Sequence, residues 1–215
     1  MNTVHDIIKN SLCLGCGLCE ALDKENCKMV INQEGFYEPI FRDQHRIDHK
    51  VITKICPGIV VHSQVTNQSI WGTVKIVANA WASDSEIRKS SSSGGVTSAL
   101  AIYLLETKKV DAVLHVGVEE GTYLYNRLYA STTKEDILSR NASRYAPAAI
   151  FNNIIELLEA EKTYAFIGKP CDIAAMQNFT KIHPEYKQKI AYYLAIFLCR
   201  YAQLSCDQES TFYVP

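Results

Sequence analysis

Cys13-Leu-Gly-Cys16-Gly-Leu-Cys19 sets the terms for the whole chain: three cysteines stand three residues apart, with a glycine on each side of the middle one. A loop kept tight by glycine lets successive thiolates point inward at separate corners of one metal–sulfur cube. Its N–H groups can hydrogen-bond the cube's sulfurs and raise its reduction potential. The spacing predicts that Cys13, Cys16 and Cys19 are three ligands of a 4Fe–4S cluster.

The fourth ligand must come from elsewhere, and in bacterial ferredoxins a remote Cys-Pro supplies it. Cys56-Pro57 has that form, which makes Cys56 the expected fourth ligand, with Cys27 its competitor. A two-cluster ferredoxin carries a further Cys-Pro at the position occupied here by Asp23, so a single cluster is expected. Zinc would call for two C-x2-C pairs, which the triple spacing fits poorly. Disulfides suit an exported chain better than this one. Cys27 can also be read as a small buried side chain.

Working outward, five of the eight cysteines lie before residue 57, where composition is rich in Gly and charge. A piece that small buries little core, and a metal centre would supply the missing stability. With 47% hydrophobic and 21% charged residues the chain is ordinary for a globular protein, and its net charge of −1 gives no field for nucleic acid or acidic lipid. The first residues lack the apolar core of a signal peptide. The longest apolar run, Ile190 to Cys199, is about half a membrane span. A cytoplasmic protein without membrane insertion is expected.

The division expected is an iron–sulfur module over 1–62, a polar linker, and an α/β sheet domain over 73–215. Strands are predicted for Val74–Ala82, Val110–Val118, Leu124–Ala130, Thr163–Ile167 and, centrally in the sheet, Ile190–Leu198. Helices are predicted from Val96 to about Thr107, over Ala149–Ala160, and from Pro170 through Phe179.

Two loops carry further chemistry. Ser90-Ser-Ser-Ser93-Gly94-Gly95, expected between a strand and a helix, could offer hydroxyls, close backbone approach and a helix N-terminus to a phosphate. Serine-glycine loops also serve as plain caps. Gly168-Lys169-Pro170-Cys171 follows a strand and opens a helix, with Pro170 suited to the first turn. The helix end and Lys169 would favour thiolate at Cys171, against the alternative of a buried structural cysteine. Ser143-Arg144-Tyr145 could hold an anion or stack on a ring, or be a solvated Arg beside a packed Tyr.

Together these pieces resemble the coenzyme F420 hydrogenase/dehydrogenase beta-subunit family. The resemblance rests on CLGCGLC at 13–19, EGFYEPIF at 34–41, CPGI at 56–59, SSSGGVTSALAIYLLE at 91–106, SRY at 143–145 and GKPCDIAAM at 168–176, with an apolar strand ending in Cys199. It implies FAD held by the α/β domain, with the cluster passing electrons to or from it. Ser92, Ser93, Gly94, Gly95, Thr97, Arg144, Tyr145, Gly168 and Pro170 are the cofactor-binding candidates. It also implies a second cluster on Cys171 and Cys199, but the downstream C-x-x-C that would complete it is absent. After Arg200 the family pattern gives way to YAQLSCDQESTFYVP, so the chain is expected to be a fragment or to have lost its C-terminal half.

The expected function is an oxidoreductase subunit relaying electrons between a ferredoxin-like donor and FAD, coenzyme F420 or a similar two-electron substrate, beside a redox partner. The alternative is a non-catalytic iron–sulfur carrier or remnant, and a third reading is a zinc-binding interaction module.

Overall fold

A computed structural model describes residues 3–62, 74–121, 125–143 and 146–197. The N-terminal part contains α1 (Val4–Lys9), α2 (Leu18–Leu22), the hairpin β1 (Cys27–Ile31) and β2 (Tyr37–Phe41), and α3 (His49–Ile55). Thr3 and Asp6 close a reciprocal capping box on α1, and Asp48 caps α3 by accepting from the Val51 N–H at 3.1 Å. β1 and β2 pair antiparallel in the register Cys27–Phe41 to Ile31–Tyr37.

The C-terminal part contains α4 (Ser85–Ser90), α5 (Val96–Glu106), β3 (Ala112–Val118), β4 (Asn126–Ser131), α6 (Lys134–Ser139), α7 (Ile154–Glu159), β5 (Tyr164–Gly168), α8 (Pro170–Ile182) and β6 (Ile190–Ala195). The sheet order is β4-β3-β5-β6, antiparallel between β3 and β4 and parallel across β3, β5 and β6. This is the mixed α/β class expected.

Strand alternation sorts the core into two layers. Leu114, Tyr164 and Phe166 face a cluster completed by Phe151, Ile154, Leu158, Met176 and Phe179. Val113, Ala165 and Ile167 face the other way, onto Ile87, Ala101, Ile102, Leu104 and Ile137. The first layer also takes in Leu18, Ala21 and Ile55, so the cysteine-rich part and the sheet share one apolar core. Asn178, buried on α8, fastens the joint by donating to the carbonyls of Ile55 (3.3 Å) and Val60 (3.1 Å).

Several expectations are corrected. Val74–Ala82 is not a strand: Val74, Ile76 and Val77 are exposed, and an extended segment becomes a strand only where a neighbour takes its N–H and C=O groups. The serine loop therefore joins two helices, α4 and α5, rather than a strand and a helix. The expected helix over 149–160 begins only at Ile154, because 149–153 turns beneath the cysteine loop, where the Phe151 N–H donates to the Cys16 carbonyl at 2.8 Å. β6 ends the sheet among the described residues instead of lying centrally, and its pattern is correspondingly half exposed. Leu124, the expected first residue of β4, lies outside the described residues, as does most of the expected linker.

Candidate functional site

The cysteine loop and the Cys-Pro turn are pressed together by glycines. Gly15 and Gly17 have φ of 63° and 91°, a region L side chains rarely enter. A Cβ on Gly15 would stand 2.8 Å from the Tyr37 carbonyl oxygen. Gly58, just past Cys56-Pro57, is tighter still: a Cβ there would lie 2.5 Å from the Leu12 carbonyl oxygen. That approach sets the end of α3 against the start of the C-x2-C run.

Burial raises the thiol pKa of Cys13, Cys16, Cys19 and Cys56, and the neighbouring thiolates raise it further for the first three. Cys56 acts on each of Cys13, Cys16 and Cys19. Backbone N–H groups oppose this rise: Gly15 on Cys13, Leu18 on Cys16, and Gly58 and Ile59 on Cys56. Cys27 differs. Its thiol is pushed up to about 12 by burial and then by the Glu20 and Asp23 carboxylates, although it is close enough to act on Cys19. Cys56 faces donors where Cys27 faces anions, and a ligand thiolate needs donors.

A single tetrahedral ion would want thiolates about 3.8 Å apart, from a metal–sulfur bond near 2.3 Å. Among the described residues no three His, Cys, Asp or Glu side chains form such a group. A cube makes a different demand, since each thiolate binds its own iron and the four spread over its corners. Four half-buried thiols, three of them accepting from backbone N–H groups, are the soft donor chemistry such a group takes.

The GKPC turn borders this region. Lys169 donates to the Asp172 carboxylate through its backbone N–H (3.0 Å) and its ammonium (2.8 Å), and Asp172 is 2% exposed. Asp172 is close enough to Cys16 to disfavour its thiolate. Pro170 occupies the first turn of α8, as expected. Gly168 ends β5 under Phe166, whose ring a Cβ would meet at 3.1 Å. Cys171 is half-buried, its sulfur 3.9 Å from an Asp172 oxygen. Cys199, its expected partner, lies outside the described residues, as do Arg144 and Tyr145.

In the serine loop, Ser93, Gly94 and Gly95 are all left-handed, with φ of 50°, 70° and 73°. The space a Cβ would fill is occupied by protein: Trp81 at 3.2 Å for Gly94, and the Ile87 carbonyl at 3.0 Å for Gly95. These glycines let the loop fold back onto 81–87, leaving the Ser92 and Ser93 hydroxyls exposed. Thr97 is half-buried in the first turn of α5, whose N-cap residue Gly95 provides no side-chain cap.

Some polar residues here have no motif to announce them. Asn141 and Ser143 bind the serine loop across fifty residues of chain. His115, inside β3, pairs with Ser131 at 2.8 Å, and burial, aided by the Arg140 charge, lowers its pKa to about 4. Arg140 lies over the Tyr129 ring, 4.3 Å from its centroid. Asp172, three residues into a helix opened by Lys-Pro, carried a capping signal, and Ser143 stood in the Ser-Arg-Tyr stretch; Asn141, His115 and Arg140 carried none.

The fold and this constellation define an α/β protein with a cysteine-rich module built into its core. Two family models match the chain: "Coenzyme F420 hydrogenase/dehydrogenase, beta subunit N-term" over 77–155, and the model for the same subunit's C terminus over 161–202. The chain belongs to the coenzyme F420 hydrogenase/dehydrogenase beta-subunit family. It is similar to the coenzyme F420 hydrogenase subunit beta of Methanococcus voltae, 31% identical over 52% of this chain and 40% of that one. It is also similar to the F420-dependent formate dehydrogenase subunit beta of Methanocaldococcus jannaschii, 31% identical over 47% of this chain and 27% of that one. Among solved structures, the F420-reducing [NiFe] hydrogenase complex from Methanosarcina barkeri matches with 23% identity and a TM-score of 0.49, over 54% of this chain and 41% of that one. The chain thus spans less than half the length of these curated relatives. Among the described residues no helix is long and apolar enough to cross a membrane.

Proposed function

We propose that this chain is an electron-relay subunit of an oxidoreductase, holding one 4Fe–4S cluster on Cys13, Cys16, Cys19 and Cys56 and FAD at the serine loop. Its two-electron substrate would be coenzyme F420 or a similar carrier, and a partner protein would complete the pathway. The observation carrying this reading is the meeting of the C-x2-C loop and the Cys-Pro turn at Gly58 and Leu12, with N–H groups directed at Cys13, Cys16 and Cys56.

When bound, the cluster supplies one-electron transfer and the flavin couples it to two-electron chemistry. The chain's own residues position and shield. Gly15, Gly17 and Gly58 hold the loops at contact distance, and Leu18 and Ile55 keep water from the cysteine side of the core. Ser92, Ser93 and the first turn of α5 present donors for a diphosphate, while Asp172 and Lys169 form a compensated ion pair next to Cys16.

Anaerobic purification or reconstitution followed by iron, sulfide and flavin analysis tests the reading. The expected result is about four irons per chain and one bound FAD. Cluster without flavin would leave a simple electron carrier, and zinc without iron would reject the relay altogether.

A further inference from the structure

We propose that Asn178 is a positioning residue that holds Cys56 in place as the fourth cluster ligand, by clamping both ends of the 56–60 turn to α8; this deepens the cluster reading above and rests on it. Asn178 lies within α8 and is 2% exposed. Its amide nitrogen donates to the Ile55 carbonyl at 3.3 Å and to the Val60 carbonyl at 3.1 Å. A carbonyl oxygen can only accept, so both neighbours require the nitrogen end of the amide, and the donor direction is decided. The two carbonyls bracket the ligand: Ile55 ends α3 immediately before Cys56, and Val60 closes the turn after it. The Ile55 carbonyl, in the last turn of its helix, has no intrahelical partner. One buried side chain satisfies it and at the same time fixes where the turn sits.

The turn's own bonds, from the Ile59 and Val60 N–H groups to the Cys56 carbonyl (3.0 and 2.9 Å), shape it but leave its placement open. Contacts from outside place it. Gly58 presses on Leu12 at the head of the C-x2-C run, and Asn178 ties the turn to α8. That helix is itself immobilised: Met176 and Phe179 are fully buried in the core, and Asp172 caps its start. Cys13, Cys16 and Cys19 share one loop, whereas Cys56 arrives on a separate one and needs a brace that none of the other three provides.

Full-length protein, its cluster reconstituted anaerobically, is treated with an equivalent of ferricyanide, and iron per chain and electron paramagnetic resonance are measured. A cluster whose fourth cysteine is misplaced loses the iron at that corner. The doubly positive 4Fe–4S core gives up one ferrous ion and one electron to leave a singly positive, paramagnetic 3Fe–4S core, and the electron reduces ferricyanide to ferrocyanide. Asn178→Leu, which keeps the volume and brings no charge, is expected to lose about one iron per chain and to show the three-iron signal. Asn178→Asp, the isosteric change, should do the same and serves where leucine hinders folding. Thr180→Val, a buried change on the same helix that removes a bond to the Gln177 carbonyl instead, should lower Tm yet keep its iron and show no such signal. Asn178 variants that hold their iron as the parent does, or a Thr180→Val protein that loses it equally, would overturn the proposal while leaving the cluster reading standing. Parent protein that takes up no iron would overturn both.

Discussion

Replacing Gly58 by alanine tests the joint on which the cluster reading depends. The new Cβ would stand 2.5 Å from the Leu12 carbonyl oxygen, and ordinary contact begins near 3.4 Å, so the two backbones must separate by about 0.9 Å. Neither side yields cheaply: Leu12 is tied back by its N–H to the Ile7 carbonyl (2.9 Å), and the Cys56 carbonyl accepts from Ile59 and Val60. Overpacking of this kind costs about 1–3 kcal/mol, which for a chain of this size lowers Tm by about 4–8 °C at the middle of that range. The displacement also carries Cys56 away from Cys13, so iron retained after anaerobic reconstitution should fall well below the parent protein. Gly121→Ala is the control. Its φ is 81° and an added Cβ would meet nothing within 4 Å, so alanine costs about 1–2 kcal/mol of backbone strain without pushing on a neighbour, and iron content should be unaffected. Thermal unfolding by circular dichroism and iron per chain are the two measurements. A Gly58→Ala protein with parental Tm and full iron would refute the reasoning.

Cys56→Ser should abolish stable iron incorporation, whereas Cys27→Ser should keep the iron and lose only stability, because Cys56 faces N–H groups and Cys27 faces Glu20 and Asp23; the opposite pattern in iron assays would make Cys27 the ligand. His115 titrates near 4 when folded and near 6.5 when unfolded, so the unfolded chain takes up the proton first. Protonating the buried ring costs the folded state up to about 3 kcal/mol, so stability is level above pH 6.5 and declines as pH falls toward 4. Urea unfolding across that window should show a slope that His115→Gln removes. Asp172→Ala removes one partner of the Lys169 ammonium and the cap on its N–H, and should cost about 2 kcal/mol by chemical denaturation; a loss under 1 kcal/mol would mean water already screens the pair.

What could be read from residues alone was whatever depends on short-range spacing. The three-residue repeat at Cys13, Cys16 and Cys19, the Cys56-Pro57 pair, the buried strands around Val113 and Phe166, and Pro170 at the head of α8 are all local patterns, and local geometry expresses them directly. Tertiary structure decided the rest. Val74–Ala82 has strand composition, but among the described residues no strand pairs with it, and only the Ala82 N–H finds a backbone partner, the Gly94 carbonyl at 2.7 Å. Residues 149–153 have helical periodicity but turn instead to seat Gly17, whose Cβ would lie 3.0 Å from the Asn152 nitrogen. The close passage of Gly58 beside the Leu12 carbonyl, the carboxylates that set Cys27 apart from Cys56, and the grip of Asn141 on serines fifty residues away join segments distant along the chain. Such contacts follow from how layers stack, and no pattern within a single segment encodes them.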